Sequence, residues 1–460
     1  FGEKRGPTQS LAPLPFCLIH GYWTELVLRT PMAYAGTVNV FLIYFFTKIM
    51  FNKRIGLGSA FLYSVTGFNI AFSRIVQYQS ILILTIILSM ICFYESLTRK
   101  EAQKTEKYFL LGSFFFAFGL FTHYDIVFLG IVSAFVWYKL FGLKNFYTNR
   151  VFQKALSVIL LFTLIFYVPY ILHPHIGSAV SYYFRRAGIF SLMTNISWFV
   201  VVTSFYSSSY LLLFLLICPL FNLFIKKMSI ELELNLVWFF SYFLPLLFVI
   251  SSPGSHFYLL FPSWIPLSIM GLRQLYFMII NLDLKLRALK LPLLTLLVLG
   301  SIIPIYYNQM IYLDDDLLYV RTYPENKNDF FFTLYNEQPK EFKFGFPYRA
   351  GWKAVGYLFR TQLLEGNYFS NEEETITNYY IGTYPNIEDV RYYILAKYVQ
   401  DEVELNKTHV ETTYDLMGIV YVNSKALIYI YDINSPIDGN YLRYDVEDYE
   451  SAYDLKFRKI

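Results

Sequence analysis

Ionisable residues are scarce in this chain. Only 16% of its 460 residues are charged, whereas about a quarter is usual in a soluble domain. This shortage excludes an ordinary soluble protein. Apolar runs of about 18 or more residues, long enough to cross a bilayer as a helix, recur through the first two thirds of the chain. The sequence therefore predicts a polytopic membrane protein.

Acidic residues are scarcest of all before residue 311. Residues 1–310 contain 23 Lys and Arg but only 9 Asp and Glu, whereas residues 311–460 contain the other 15 and 25. The second part is rich in Tyr and long enough to bury a core of its own. We therefore predict three domains: an external loop segment at 1–24, a transmembrane helical domain at 25–308 and an extracytoplasmic soluble domain at 309–460.

Cysteine is nearly absent as well. Cys17, Cys92 and Cys218 lie in apolar stretches without metal-ligand spacing, which excludes a disulfide framework. No stretch has the spacing of a nucleophile triad, a zinc site or a phosphate loop. The chain starts at Phe1 without a signal-peptide pattern, and we expect a further segment upstream.

The apolar runs predict ten spans, and the basic residues predict their orientation. Lys and Arg concentrate in cytoplasmic loops, and 17 of the 23 fall at every second connection. An even number of spans then places residues 1–24 and the C-terminal domain together on the outer side. The predicted spans are 25–49, 57–72, 79–96, 108–122, 125–140, 154–172, 197–225, 234–250, 257–280 and 291–308.

The C-terminal domain has short alternating patterns. "GWKAVGYLFRTQLL" has helical spacing, and "NYFSN", "NYYIG" and "ALIYIYD" have the composition of β-strands, with Gly, Asn and Pro between them. We predict an α/β or α+β fold for this domain.

Few charged side chains lie on the predicted outer side, and each is costly there unless it has a partner or a function. Several arginines and histidines with a single acid suit an anionic ligand, most simply a phosphate. The set comprises Lys4, Arg5, Arg29, Arg74, Arg185, Arg186, His20, His123, His173, His175 and His256, with Asp125 as the acid.

Each of these candidates has a structural alternative. Arg74 could only anchor a helix end, and Gln77 and Gln79 could join helices through their amides. His123 and Asp125 could cap a helix start. "YYFRRAG" could lie on lipid headgroups, and "HPH" is more typical of a loop than of a metal site.

The N-terminal segment "GPTQSLAPLPFCLIHGYWTELVLRTPMAYAG" resembles the polyprenyl-phosphate-sugar glycosyltransferases of family 39, in the dolichyl-phosphate-mannose–protein mannosyltransferase superfamily with the GT-C fold. Later segments are similar to that family in the same order, and the last resembles the start of the soluble tail in prokaryotic members. The matching segments are "SRIVQYQS", "GLFTHYDIVF", "SHFYLLFPSWIPLSI" and "GWKAVGYLF".

The resemblance implies an all-α membrane bundle, with ten spans here and eleven in the intact form. It implies an inverting hexosyl- or pentosyltransferase in the plasma (inner) membrane. The expected partners are a polyprenyl-phosphate sugar donor, membrane lipid and an acceptor protein or glycolipid, with no nucleic acid. The implied substrate-binding residues are Arg74, Gln79, His123, Asp125, Arg185, Arg186, His256 and Tyr258.

The chain departs from the family pattern at the acids. The family's catalytic acid has no match, so we expect it upstream of Phe1, with Asp125 a weak candidate within the chain. A second acid found in some members is replaced by Val76, Gln77 and Gln79. No cofactor follows from these residues, and a divalent metal stays possible. The alternatives are a non-catalytic assembly protein with the same shell, or a flippase or transporter of lipid-linked anions.

Overall fold

A computed structural model gives the fold of the chain. It describes residues 6–21, 24–142, 148–172, 192–207, 209–225, 228–250, 253–281, 351–386, 388–397, 403–422, 424–434 and 441–446, and a few single residues between these ranges. Within them the helices and the one sheet form two compact units, one holding the apolar helices through Ile280 and the other the residues from 351 onward.

The first unit is helical throughout. Its α-helices are α1 (Thr8–Leu11), α2 (Leu14–His20), α3 (Glu25–Met50), α4 (Lys53–Ser64), α5 (Gly67–Ser73), α6 (Gln79–Thr98), α7 (Ala102–Thr122), α8 (Leu129–Phe141), α9 (Arg150–Ile171), α10 (Leu192–Tyr206), α11 (Ser209–Ile217), α12 (Ile230–Phe248) and α13 (Phe261–Ile280). Short 3₁₀ helices cover Tyr124–Phe128, Cys218–Phe224 and Gly254–Leu260.

Six helices of the described residues are long and apolar enough to cross a membrane, and a bent pair raises the number to seven. The predicted polytopic bundle is confirmed, since nine of the ten predicted spans coincide with described helices. Most of span 291–308 lies outside the described residues. The exact number of spans stays a prediction.

Two predicted spans are not continuous helices. Span 57–72 bends by 60° between α4 and α5. Span 197–225 is divided among α10, α11 and a 3₁₀ helix. At the bend, Thr66 is buried and its hydroxyl donates to the carbonyl of Tyr63 at 2.7 Å. A side-chain donor can satisfy a carbonyl that the break in the helix leaves without its usual partner.

Glycines let these helices approach closely. A Cβ at Gly36 in α3 would lie 1.9 Å from Oγ of Ser73 at the end of α5. A Cβ at Gly119 in α7 would lie 2.0 Å from the side chain of Ile126. Gly36 and Gly119 both belong to the family-like segments, so these segments are packing points of the bundle.

The C-terminal unit is a mixed five-stranded sheet with helices. Its elements are α14 (Trp352–Arg360), β1 (Tyr368–Ser370), α15 (Glu374–Ile381), β2 (Tyr392–Ala396), α16 (Lys407–Thr413), β3 (Asp415–Val422), β4 (Lys425–Asp432) and β5 (Leu442–Asp445). The strand order is β1-β2-β4-β3-β5, with parallel pairs at both edges and antiparallel pairs in the centre. The predicted α-and-β fold is confirmed.

One predicted strand in this unit is wrong. "NYYIG" is not a strand, because its residues end α15, whose buried Thr377 and Ile381 lie four positions apart on one helical face. Gly382 then ends the helix with φ of 91°, a left-handed conformation that glycine adopts without strain. Tyrosine and isoleucine favoured a strand, and packing of the helical face decided otherwise.

Candidate active site

Asp125 is the centre of a buried polar cluster in the membrane unit. It lies in the 3₁₀ helix Tyr124–Phe128, directly after α7, and only 1% of it is exposed. Two imidazoles approach its carboxylate oxygen Oδ2, that of His256 at 2.6 Å and that of His123 at 3.2 Å, each through Nδ1. His123 is 4% and His256 9% exposed.

The contacts assign the protons on the two rings. An ionised carboxylate can only accept hydrogen bonds, so Nδ1 of His256 carries the proton that it donates to Asp125. Nδ1 of His123 instead accepts the backbone N–H of Asp125 at 3.2 Å, which caps the 3₁₀ helix. The predicted local pairing of His123 with Asp125 is therefore present, and it coexists with the contact to His256.

Aromatic side chains surround this cluster. The ring of Tyr78 stacks on His123 with centroids 3.8 Å apart and an angle of 2° between the planes. Tyr124 lies against His123 at 4.0 Å. Tyr242, from α12, contacts Phe128 at 5.9 Å and lies within electrostatic range of Asp125. These rings exclude water from the carboxylate, which strengthens its attraction to the imidazoles.

The N-terminal segment reaches the same end of α7. The backbone N–H of Gly6 donates to the carbonyl of Thr122 at 3.1 Å, and the hydroxyl of Thr8 donates to Thr122 and Phe121 at 3.1 Å each. A Cβ at Gly6 would lie 2.2 Å from the carbonyl oxygen of Phe121, so only glycine allows this approach. The "GPTQ" segment thus contacts Phe121 and Thr122, the two residues that precede His123 in the chain.

The segment of Arg74 and Gln79 joins α5 to α6 on the other side of the cluster. Arg74 ends α5 and is half-buried, and Gln79 begins α6 and is 3% exposed. The side-chain amide of Asn39 in α3 donates to the backbone carbonyl of Ser80 at 2.8 Å. The hydroxyl of Ser80 donates to the backbone carbonyl of Phe72 at 3.0 Å. These bonds fix the segment so that Tyr78 meets His123.

Sequence reasoning named some of these residues and missed others. The structure brings His123, Asp125 and His256 together. Tyr258 follows His256 by two residues in the same 3₁₀ helix, and Gln79 follows Tyr78, whose ring stacks on His123. Arg185 and Arg186, with His173 and His175, lie outside the described residues. Neither Tyr78 nor Tyr242 was identified from the sequence. Tyr78 could have been found from its position between Gln77 and Gln79, which were both considered.

No group of three or more His, Cys, Asp and Glu side chains that could hold a metal ion occurs among the described residues. The positions where some family members carry a second acid hold amides, and Gln79 donates its amide to Oε1 of Gln77 at 2.8 Å. At these positions amide groups therefore take the place of the carboxylate oxygens that divalent metal ions favour.

Comparison with known proteins agrees with this architecture. Residues 12–173 match the family described as dolichyl-phosphate-mannose-protein mannosyltransferase. The match includes His123 and Asp125 and ends before His256. No curated protein sequence matches the chain.

Several solved structures resemble the chain. ArnT from Cupriavidus metallidurans bound to undecaprenyl phosphate has a TM-score of 0.54 at 9% identity, over 93% of this chain and 88% of that one. Its apo form has a TM-score of 0.49 at 9% identity, over 93% and 87%. The oligosaccharyltransferase of Archaeoglobus fulgidus with a tethered acceptor peptide has a TM-score of 0.43 at 12% identity, over 86% and 61%.

The class of protein follows from the fold and the spans: the chain is an integral, multi-pass membrane protein of the GT-C fold. Over residues 12–173 the chain is similar to the dolichyl-phosphate-mannose-protein mannosyltransferase family, the same family that its sequence motifs resemble.

Proposed function

We propose that the chain transfers a single sugar from a polyprenyl-phosphate-linked donor to an acceptor hydroxyl, at the outer face of the plasma (inner) membrane. The observation that carries this proposal is the buried His123–Asp125–His256 cluster in a family-matched GT-C bundle. ArnT, which shares the fold with a TM-score of 0.54, has undecaprenyl phosphate bound, and this supports a lipid phosphate as the carrier.

The reaction is a displacement at the anomeric carbon of the donor sugar. The acceptor oxygen forms a bond to that carbon while the bond from the carbon to the phosphate oxygen breaks, which inverts the configuration. The electron pair of the broken bond leaves on the phosphate, and the acceptor proton passes to a general base. The negative charge that develops on the phosphate is the charge that the site has to stabilise.

His256 is the residue we assign to the phosphate. Asp125 accepts a hydrogen bond from its Nδ1 at 2.6 Å, which fixes the orientation of the ring. In the doubly protonated ring, Nε2–H is the donor to the phosphate oxygen. Arg74, and Arg185 or Arg186 from the family-like set, would add guanidinium donors, which bind two phosphate oxygens at once.

Asp125 is a positioning residue in this mechanism and not the general base. Its Oδ2 is occupied by His256, and the side chain is almost wholly buried. A base has to reach the acceptor hydroxyl directly or through one water. The family resemblance assigns the base to an acid that matches no residue among Phe1–Ile460.

The test measures sugar transfer in membranes of cells that express the complete chain, because those membranes hold the native acceptor. Polyprenyl-phosphate mannose and related donors are supplied, and mass spectrometry follows both the released polyprenyl phosphate and the glycosylated product. We expect Asp125→Asn and His256→Gln each to lower the transfer rate by about 10²-fold or more, the range of oriented acid–base and electrostatic groups.

A third variant and a control make the result specific. Because Asp125 acts through His256, the double variant should be no slower than the slower single variant. Glu233→Gln removes a carboxylate whose ion pair with Lys139, at 2.6 Å, is partly exposed, and it should transfer at the unsubstituted rate. If the losses of transfer rate in the two single variants add up in the double variant, Asp125 does not act through His256. Release of no polyprenyl phosphate by the unsubstituted chain would overturn the transferase and favour a non-catalytic protein or a flippase.

A further inference from the structure

A small recess opens between the α4–α5 bend, the start of α6 and the last 3₁₀ helix. It contains about 260 Å³ of open space, counted with the space at its mouth, and at its base there is room for about one water-sized group. The aromatic and polar side chains that line it include Tyr63, Phe68, Phe72, Gln79, Tyr258 and Phe261.

Two polar atoms that line this recess have no hydrogen-bond partner among the described residues. Oε1 of Gln79 is one, since the same amide uses its nitrogen to donate to Gln77 at 2.8 Å. The hydroxyl of Tyr258 is the other. Gln79 is 3% and Tyr258 4% exposed. Buried polar atoms in native proteins almost always have a partner, so these two require a ligand group or a water molecule.

The recess and the His123–Asp125–His256 cluster are connected because their residues are near neighbours in the sequence. Tyr258 follows His256 by two residues in the same 3₁₀ helix, Gly254–Leu260. Gln79 follows Tyr78, whose ring stacks on His123 at 3.8 Å. A molecule that is held by its phosphate at His256 therefore has its next chemical group, the sugar, in reach of this recess.

We infer that the base of the recess binds one hydroxyl group of the donor sugar, and that Gln79 and Tyr258 determine which sugars the enzyme accepts. This inference rests on the proposed function. A hydroxyl is both donor and acceptor, so it can donate to Oε1 of Gln79 while it accepts the O–H of Tyr258. The aromatic rings of the wall pack against the apolar faces of the sugar.

The same geometry selects against charged sugars. No side chain that lines the recess is ionised at neutral pH, and an ammonium or carboxylate group placed there would lose its hydration without a counter-charge. A carboxylate would also face Oε1 of Gln79, which can only accept. The donor that we infer is therefore uncharged and carries a hydroxyl at the position that enters the recess.

The experiment measures donor binding to the purified full-length chain in lipid nanodiscs. The probes are polyprenyl phosphate without a sugar, polyprenyl-phosphate mannose and glucose, a monodeoxy series of the better hexose, and donors that carry a 4-amino-4-deoxy sugar or a uronic acid. We expect at least one neutral hexose donor to bind 10-fold or more tighter than polyprenyl phosphate alone. The amino and uronic acid donors should show no such gain.

The deoxy series and two variants locate the contact. One monodeoxy donor should lose most of the gain, because sites built to bind a hydroxyl strongly reject ligands that lack it. Tyr258→Phe should weaken the hydroxyl-bearing donor but not that deoxy donor. Gln79→Met, of similar shape, should do the same. Tyr94→Phe is the matched control, since Tyr94 is also buried but hydrogen-bonds Glu231 and Ile49 instead.

The outcomes separate this inference from the proposed function. If polyprenyl phosphate binds but no sugar adds affinity, or charged sugars add as much as neutral ones, the recess inference is overturned and the lipid-phosphate proposal stands. If every monodeoxy donor binds like its parent, only water fills the recess and the inference is likewise overturned. If no probe binds, both proposals fail.

Discussion

A single carboxylate oxygen organises a buried polar cluster of the membrane unit, formed by His123, Asp125 and His256. Oδ2 of Asp125 accepts a hydrogen bond from Nδ1 of His256, while Nδ1 of His123 accepts the backbone N–H of Asp125, and a buried charge in a bilayer is tolerated only with such partners. The cost of separating these groups explains why all three lie within aromatic walls. It also explains why one substitution in the cluster should affect all of its members.

Close packing at single glycines is a second feature at this scale, and Gly271 in α13 gives the sharpest prediction. A Cβ at this position would lie 1.7 Å from the carbonyl oxygen of Cys218, a backbone atom that cannot move without shifting its helix. Gly271→Ala should lower the free energy of unfolding by about 1–3 kcal/mol or more through overpacking. Tryptophan fluorescence during heating of the detergent-solubilised chain would measure the lower apparent Tm.

Gly130→Ala is the control for this prediction. Gly130 lies in α8, where a Cβ would approach nothing closer than Phe116, at 3.9 Å. Alanine favours the helix over glycine by about 0.5–1 kcal/mol, so this variant should unfold at the same or a slightly higher temperature. An equal fall in both variants would show that the contact at Cys218 is not the cause.

At the scale of elements, an asparagine side chain provides hydrogen bonds to β2 where the backbone pairing of β1 ends. Asn371, directly after β1, is fully buried and binds both backbone groups of Ala396 in β2, donating to its carbonyl at 2.8 Å and accepting its N–H at 2.7 Å. The side chain thereby extends the β1–β2 pairing by one step beyond Ser370.

Asn371→Ala should therefore loosen the β1 edge of the sheet. It leaves two buried backbone groups without partners, each at a cost of about 1–3 kcal/mol. Hydrogen exchange of the intact chain, followed by mass spectrometry, should show faster exchange in β2. Asn386→Ala removes an exposed side chain whose one hydrogen bond among the described residues is to the N–H of Glu388, at 3.0 Å, and it should leave that exchange within error. Unchanged exchange in Asn371→Ala would contradict the bridging role.

The sequence predicted the helices and strands better than it predicted the tertiary contacts between them. Hydrophobic runs located the membrane helices because a span must bury its whole length in lipid. The local pairing of His123 with Asp125 could be predicted because the two residues lie two positions apart. The contact of Asp125 with His256 spans 131 residues and depends on the packing of the 3₁₀ helices Tyr124–Phe128 and Gly254–Leu260 against α12, which no local pattern encodes.

The helical bend at Thr66 and the helix at 374–381 were unpredictable for a related reason. A continuous apolar run does not report a bend, since lipid-facing and protein-facing turns have the same composition. In α15 the β-forming residues Tyr379, Tyr380 and Ile381 were outweighed by the burial of one helical face. Propensity is a weak guide wherever tertiary packing is specific.

At the scale of the whole molecule, the distribution of charge predicts the side of the membrane for each part. Basic residues gather at alternate connections, such as the one between α6 and α7, where Lys100 lies in the connection and Lys104 and Lys107 lie in the first two turns of α7. Short loops of this kind stay on the cytoplasmic side. The domain after residue 309, with its excess of acids, should then lie on the opposite side, where the acceptor would be met.

Thiol labelling of intact cells tests this arrangement, and the chain suits it because Cys17, Cys92 and Cys218 are all buried. Glu411→Cys places an exposed thiol on α16 of the C-terminal unit, and Lys104→Cys places one in the first turn of α7, beside the basic connection. A membrane-impermeant maleimide should label the first variant in intact cells and the second only after the membrane is opened. Both should label fully in detergent, which controls for reactivity. Labelling of Lys104→Cys alone in intact cells would reverse the orientation, and with it the assignment of the donor site to the outer face.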